Sequence, residues 1–94
     1  MANIITVKNL QAVVDRINKT TNSPAEQFST TVPGAANLGN YHLSGAYSGY
    51  ALHRTVNASG GIRDISNSGY ISKRALYDVL HAYLAGYEAG KEAV

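Results

Sequence analysis

The spacing of apolar residues changes twice along this chain, and that change limits the folds open to it. Segments 6–20 and 72–88 carry apolar residues at helical spacing, whereas segment 41–67 has tyrosine, leucine, valine and isoleucine separated by glycine and serine. We therefore expect an α+β domain of order αβββα, with a three-stranded antiparallel meander packed against an N-terminal and a C-terminal helix. The other face of such a sheet is expected to stay open to solvent, where a ligand or a partner could bind.

Both helices show a start signal and a continuous apolar stripe. Thr6 is a predicted N-cap for the first helix and Ser72 for the last, because a hydroxyl side chain can accept a free N–H of the first turn. Gly90 is expected to stop the last helix. The residues of the two stripes are Val7, Leu10, Val13, Val14 and Ile17, then Leu76, Val79, Leu80, Tyr83, Leu84 and Tyr87.

The 94 residues fit one small domain with a limited core. Ser23 before Pro24 predicts a second, short helical start. The glycine, serine, threonine and asparagine that follow predict a surface loop, which the sequence leaves open to be ordered or mobile. The predicted single domain 1–94 contains helix 6–20, a short helical turn 24–28, loop 29–40, strands 41–67 and helix 72–88.

The middle segment has two interpretations. We favour strands at about 41–46, 50–56 and 62–66, with turns at "YSG" and "NASGG" in which glycine supplies positive φ. Strand alternation then places Arg54 on the apolar face, at a strand end or across the sheet rim. The alternative is a helix over 42–56, which its two glycines would destabilise by roughly 2 kcal/mol.

Charge and composition exclude several classes of protein. The net charge is +2 and the pI about 9.0, which is too mild for a protein that coats nucleic acid. The chain has no cysteine, so disulfides and cysteine nucleophiles are excluded. No signal peptide or apolar run of membrane-spanning length is visible, so we expect a cytoplasmic protein without a membrane partner.

Lys73 and Arg74 open the last helix, where the macrodipole favours anions over cations. Unpaired N–H groups at a helix start together with two cations predict a contact with phosphate or with an acidic partner. The alternative is ordinary solvated charge, because the dipole penalty is only about 0.3–1 kcal/mol.

The stretch "HRTVNASGGIR" supplies further candidates for an anion site. His53, Arg54 and Arg63 surround a glycine-rich turn, whose successive N–H groups can form an anion nest. Tyr50 and Tyr70 are candidates for stacking on bases. The alternative is a hairpin that needs its two glycines only for backbone geometry.

Metal and catalytic chemistry are not predicted. His42, His53 and His81 fall on separate elements with no acid at metal-site spacing, so we expect no metal and no cofactor. The acids are scattered, and no nucleophile motif is present. We therefore expect a protein that is not an enzyme.

Two resemblances add to this interpretation. The order αβββα with Lys73 and Arg74 opening the last helix resembles the double-stranded-RNA-binding domain, in which basic residues at that place contact phosphates. Most of the chain resembles small accessory proteins of tailed bacteriophages and prophages, through "NLQAVVDRIN", "GNYHLSGAYSGYALHRTVN", "SGGI" and "GYISKRALYDVLHAYLAG". The second resemblance implies a small protein of the host cytoplasm made during infection.

The leading hypothesis is a phage-type binding protein that engages nucleic acid or a signalling nucleotide in host takeover or counter-defence. We expect it to be a homodimer, since a shared apolar surface would extend its small core. One alternative is a protein–protein inhibitor of a host defence complex, similar to an anti-CRISPR protein. Another is a virion assembly component.

Overall fold

Two helices and one sheet make up the fold in the computed structural model, which describes residues 4–66 and 69–92. The sheet is antiparallel and has the strand order β1-β2-β3. The predicted αβββα arrangement is confirmed, and the helical alternative for 42–56 is wrong. In chain order the elements are α1 (Val7–Thr20), β1 (Tyr41–Ala46), β2 (Gly49–Thr55), β3 (Ile62–Asp64) and α2 (Lys73–Glu92).

Helix α1 begins at the predicted cap. The Thr6 side chain accepts a hydrogen bond from the Asn9 main-chain N–H at 3.1 Å, and Asn9 Oδ1 accepts from the Thr6 N–H at 3.0 Å. This reciprocal capping box satisfies two N–H groups that would otherwise lack partners at the helix start. The apolar stripe of the sequence then becomes the buried side of α1.

The core lies between the two helices and one face of the sheet. Leu52 and Tyr41 point from the strands into it, and both helices contribute leucine, valine and isoleucine side chains. Burial of these side chains is the main source of stability in a domain of this size. The buried members are Leu10, Val13, Val14, Ile17, Tyr41, Leu52, Leu76, Leu80 and Leu84.

The face of the sheet that points away from the core is also partly covered. Side chains of β2 alternate, so Ala51, His53 and Thr55 occupy this second face. All three are buried, although none belongs to the core cluster. The second face is therefore not fully open to solvent, as we had expected it to be. The exposed part of this face is narrower than antiparallel alternation alone predicts.

The turn between β1 and β2 differs from the prediction. Ala46 pairs with Gly49, so Tyr47 and Ser48 form a two-residue turn with φ values of 51° and 62°. Gly49, which we expected to supply the positive φ, instead starts β2. A Cβ at Gly49 would lie 2.9 Å from the carbonyl carbon of Tyr70, so glycine is needed there for close approach. Gly60 does supply positive φ in the second turn, at 95°.

Residues 24–28 contain no helical turn, so that prediction is wrong. The carbonyl groups of Pro24 and Glu26 instead accept hydrogen bonds from the side-chain amides of Asn40 and Asn37, at 2.8 and 2.9 Å. Phe28 forms an isolated antiparallel bridge with Ala36. These longer-range bonds take carbonyl groups that a helix would use locally, and they give the loop a defined hydrogen-bonded base.

The other element ends differ in length. Strand β3 stops at Asp64 rather than near residue 66, and α2 runs through Gly86 and Gly90 to its last described turn. Ser72 caps α2 as predicted, since its Oγ accepts from the Ala75 N–H at 3.1 Å. A glycine costs an exposed helix only about 1 kcal/mol, which does not suffice to end it. In the described part of the chain, no helix combines the length and apolarity needed to cross a membrane.

Candidate anion-binding groove

Arg54 and Arg63 lie directly opposite each other on β2 and β3. Main-chain hydrogen bonds on either side of the pair, Ile65 N–H to Leu52 O at 2.9 Å and Val56 N–H to Gly61 O at 2.8 Å, fix this register. Partners in such a pair point to the same face of the sheet. The register therefore places two arginine side chains on the face of the sheet that carries the helices.

Arg54 is held in place before any ligand arrives. Its Nε donates to the carbonyl oxygen of Gly39 at 3.2 Å, and its guanidinium carbon lies 4.8 Å from the centre of the Tyr41 ring. A cation over a tyrosine face is attracted by the ring electrons. Arg54 is half-buried and Arg63 is exposed, so one arginine is ordered and the other can adjust to a ligand.

Two adjoining depressions surround these arginines, and we call them together the arginine groove. Their volumes are about 240 and 420 Å³. Apart from the two arginines, the groove is lined by apolar residues, one glycine, one threonine, one tyrosine and one acidic residue, Asp64. The lining residues are Leu38, Gly39, Arg54, Thr55, Val56, Arg63, Asp64, Ile65 and Tyr83.

Among the described residues, ion pairs do not neutralise the charge of the groove. Across residues 4–66 and 69–92, the ion pair found joins Arg16 to Glu88 at 4.0 Å, and neither groove arginine pairs with a carboxylate. Asp64, although it lines the groove, accepts hydrogen bonds from Ser66 Oγ at 2.7 Å and from the Gly69 N–H at 3.1 Å. Like charges directly opposite on a sheet are destabilising, so this pair favours an anion between them.

A tyrosine pair borders the arginines. The hydroxyl groups of Tyr41 and Tyr83 are 2.6 Å apart and their ring centres 5.7 Å. Burial, and next the hydrogen bond with Tyr83, raise the pKa of Tyr41 to about 12. Tyr41 is therefore neutral at physiological pH and adds no negative charge that would offset the arginines.

The other predicted site residues do not join this groove. His53 lies on the opposite face of the sheet, where its ring centre is 6.0 Å from that of Tyr70. Tyr50 packs against the core, so it does not present an open face for stacking. Of the two predicted stacking residues, Tyr70 is the exposed one, at 38%.

Lys73 and Arg74 are exposed at the start of α2. Tyr83, which borders the groove, comes ten residues after Lys73, or about 15 Å further along the helix axis. The sequence offered both these two cations and the pair Arg54 and Arg63 as candidates for an anion contact. In the structure the two cations lie at the other end of α2 from Tyr83 and do not join the groove. A separate anion contact at the helix start stays a prediction.

Sequence reasoning missed Tyr83 and Gly39 as parts of the site, and it named Tyr41 only among the tyrosines that flank the sheet and could stack on bases. Tyr41 and Tyr83 are 42 residues apart, and no local pattern pairs them. One feature of the sequence did point to the site. The alternation of β2 places Arg54 on the apolar face, and a charged side chain there has to reach the rim of the sheet or an aromatic ring.

Fold and site together define the protein as a small α+β domain with a paired-arginine groove on the helix-bearing side of its sheet. Comparison with protein-family models, with curated proteins and with solved structures finds no match. Both resemblances, to phage accessory proteins and to the double-stranded-RNA-binding domain, stay predictions. Among the residues described, no three histidine, cysteine or acidic side chains are grouped so that they could hold a metal ion.

Proposed function

We propose that this chain is a non-enzymatic binding protein that holds a phosphate-bearing partner in the arginine groove. The observation that carries the proposal is the Arg54–Arg63 pair, which sets two guanidinium groups on one face with no carboxylate ion pair among the described residues. The planar fork of arginine matches phosphate oxygens and forms charge-assisted hydrogen bonds with them. A phosphate between the two side chains would also remove their mutual repulsion.

The shape of the groove favours a nucleic-acid backbone over a free nucleotide. Small-molecule sites usually enclose most of their ligand, whereas Arg63 lies exposed on the outer strand. Leu38 and Val56 are exposed beside the arginines and offer apolar surface to a sugar or a base. The resemblance to phage accessory proteins supports a role during infection, in host takeover or counter-defence.

Binding of labelled single-stranded RNA and DNA, followed by fluorescence anisotropy over a range of salt, tests the proposal. Removal of one arginine–phosphate interaction should lower the slope of log affinity against log salt by about 0.7 for a single strand. We expect this change in both Arg54→Gln and Arg63→Gln. Free nucleotide and inorganic phosphate, added as competitors, separate a backbone site from a nucleotide or phosphate site.

Lys19→Gln is the matched control, because it removes one cation from α1 and leaves the groove intact. Arg54→Lys keeps the charge and guards against a packing defect at Tyr41. An Arg54→Gln/Arg63→Gln variant that binds with unchanged affinity and slope would contradict the proposal. Loss of binding in Lys73→Glu/Arg74→Glu alone would move the anion contact to the start of α2.

A protein partner is the second candidate, and the contact between Tyr47 and Tyr70 favours it. Tyr47 is 93% exposed, and its ring centre lies 5.8 Å from that of Tyr70. Tyr47 also holds a positive φ, a conformation that is costly for a tyrosine and that stability alone does not explain. Capture of a host protein by the wild type, but not by Tyr47→Asn/Tyr70→Ser, would support this candidate; equal capture by both would contradict it.

A further inference from the structure

Strand β1 forms one edge of the sheet, and its main-chain groups alternate between β2 and the outside. The Thr55 N–H donates to the Asn40 carbonyl oxygen at 2.9 Å, which fixes this alternation. Even-numbered residues of β1 therefore turn their N–H and C=O groups toward β2, and odd-numbered residues turn theirs outward. The outward set is Tyr41, Leu43 and Gly45. No residue of β1 is among those that line the arginine groove.

The outward edge of β1 is closed at its start and open beyond it. The Asn18 side chain bonds to both main-chain groups of Tyr41. Across residues 4–66 and 69–92, the N–H and C=O groups of Leu43 and Gly45 have no hydrogen-bond partner. Gly45 is exposed, so the edge is accessible there. Such unpaired groups are a template for pairing with another strand.

The two edge strands of the sheet differ in how well they resist such pairing. Strand β3 is three residues long and carries Arg63 and Asp64. Strand β1 is six residues long and has no lysine, arginine, acidic residue or proline. Short length, charge and proline are the usual means by which edge strands avoid pairing with other chains. Strand β1 is therefore the edge that can accept a further strand.

We propose that β1 pairs antiparallel with β1 of a second copy of this chain, so that the two sheets join into one across a two-fold axis at Ser44. In this register the main-chain groups of Leu43 bond to those of Gly45 in the second copy, and the reverse. Four hydrogen bonds then satisfy the unpaired groups of both segments. Addition of a strand is a common way in which a sheet edge recognises a partner.

The position of the axis follows from the position of the unpaired groups. Asn18 closes the edge at Tyr41 and β1 ends at Ala46, so the free segment is 42–46. The centre of this segment is Ser44, and the residues with unpaired groups lie directly before and after it. A two-fold axis at Ser44 therefore leaves no unpaired group outside the interface.

The sizes of the side chains favour a second copy as the occupant. Across the axis His42 faces Ala46, Leu43 faces Gly45, and Ser44 faces itself. Each larger side chain thus meets a small one, and each copy supplies both members, as a self-complementary interface requires. Leu43 already packs against the core cluster, so the pairing extends apolar contact across the axis.

Sedimentation equilibrium and amide hydrogen exchange of the wild-type chain test the proposal. We expect a monomer–dimer equilibrium at micromolar to millimolar chain concentration, since an interface of one strand is small. The Leu43 and Gly45 amides should exchange about tenfold more slowly when about nine in ten chains are paired, because exchange requires the unpaired form. The Ser44 amide, which faces β2, should be protected at every concentration and serves as the reference.

Charge at the axis provides the matched variants. Ser44→Lys places two cations opposite each other in the dimer, and Ser44→Glu two anions, so each should weaken self-association at least about tenfold. An equimolar mixture of the two should pair again, because the facing charges are then opposite. Ser59→Lys adds the same charge at an exposed site between β2 and β3 and should dimerise as the wild type does.

Three results would overturn the proposal. A chain that stays monomeric at millimolar concentration would leave the edge to a strand of another protein. A dimer in which the Leu43 and Gly45 amides exchange as fast as in dilute solution would have a different interface. Equal weakening in Ser59→Lys would mean that net charge, and not the axis, controls association. If circular dichroism shows that the Ser44 variants do not fold, the exchange of the wild type decides.

Discussion

The side chain of Asn18 pairs with the main chain of Tyr41 as a neighbouring strand would. Asn18 Nδ2 donates to the Tyr41 carbonyl oxygen, and the Tyr41 N–H donates to Asn18 Oδ1, both at 2.8 Å. Both residues are buried. This contact ties α1 to the outer edge of β1 and satisfies the main-chain groups at the start of that strand.

Replacement of Asn18 by alanine should therefore be costly. The change removes two buried hydrogen bonds and leaves the N–H and C=O of Tyr41 without partners, so we expect a loss of about 2–4 kcal/mol in the free energy of unfolding. Urea denaturation measures it. Asn37→Ala, which removes a more exposed amide bond to Glu26, is the control. An Asn18→Ala loss no larger than the Asn37→Ala loss would contradict the strand-like role.

The turn at Tyr47 and Ser48 should be easy to stabilise. Both residues hold positive φ, and a two-residue turn of this kind favours asparagine followed by glycine. Tyr47→Asn/Ser48→Gly should raise the free energy of unfolding by about 1 kcal/mol. Ser48→Ala, which keeps a side chain in the strained conformation, should give no gain. A gain from Ser48→Ala equal to that of the double variant would mean that strain is not the cause.

Two glycine-to-alanine changes should have opposite effects. At Gly49 the new Cβ would meet the main chain of Tyr70 and Ile71 at 2.9–3.1 Å, so we expect destabilisation by about 1–3 kcal/mol. At Gly86 nothing lies within 4 Å, and alanine is the better helix former, so we expect stabilisation by about 0.5–1 kcal/mol. Thermal unfolding of both variants checks the signs. Stabilisation by Gly49→Ala would mean that the close approach there is absent, and destabilisation by Gly86→Ala would contradict the helix-propensity argument.

Stability should fall in mild acid because of His42. Its pKa is lowered in the folded state, chiefly by burial, so the unfolded chain takes up the proton first. The neutral His42 side chain costs the folded state nothing above the unfolded pKa of about 6.5. As the pH falls from there toward the folded pKa, the free energy of unfolding decreases. Urea midpoints between pH 8 and pH 5 measure the decline, which His42→Gln should reduce. Gly86→Ala is the control: it should raise the urea midpoint equally at every pH. If the pH dependence of the midpoint is the same in His42→Gln as in the wild type, His42 is not its cause.

The order of elements could be predicted because it rests on local pattern. Thr6 and Ser72 cap their helices as expected, and the stripes that include Leu10 and Leu76 face the core. These signals depend on residues within a turn or two of each other. The placement of Leu52 and Arg54 on the same face of β2 is also local, because the two residues are two positions apart in one strand.

The errors arise where distant residues decide. The carbonyl of Pro24 bonds to Asn40 rather than within a local turn, and Gly49 serves the approach of Tyr70 instead of a positive φ. The separation of Lys73 from the groove follows from the direction in which α2 runs across the sheet. None of these contacts leaves a trace in nearby residues, so spacing alone could not reveal them.

The bridge between Phe28 and Ala36 also offers a practical handle on the molecule. It closes the loop at its base, while residues 30–34 beyond it are exposed, and a Cβ at Gly34 would meet nothing within 4 Å. Exposed loop tips of this kind tolerate insertion well. A fluorophore or a short epitope placed beside Gly34 would label the same loop that lines the arginine groove through Leu38 and Gly39, without altering the arginines.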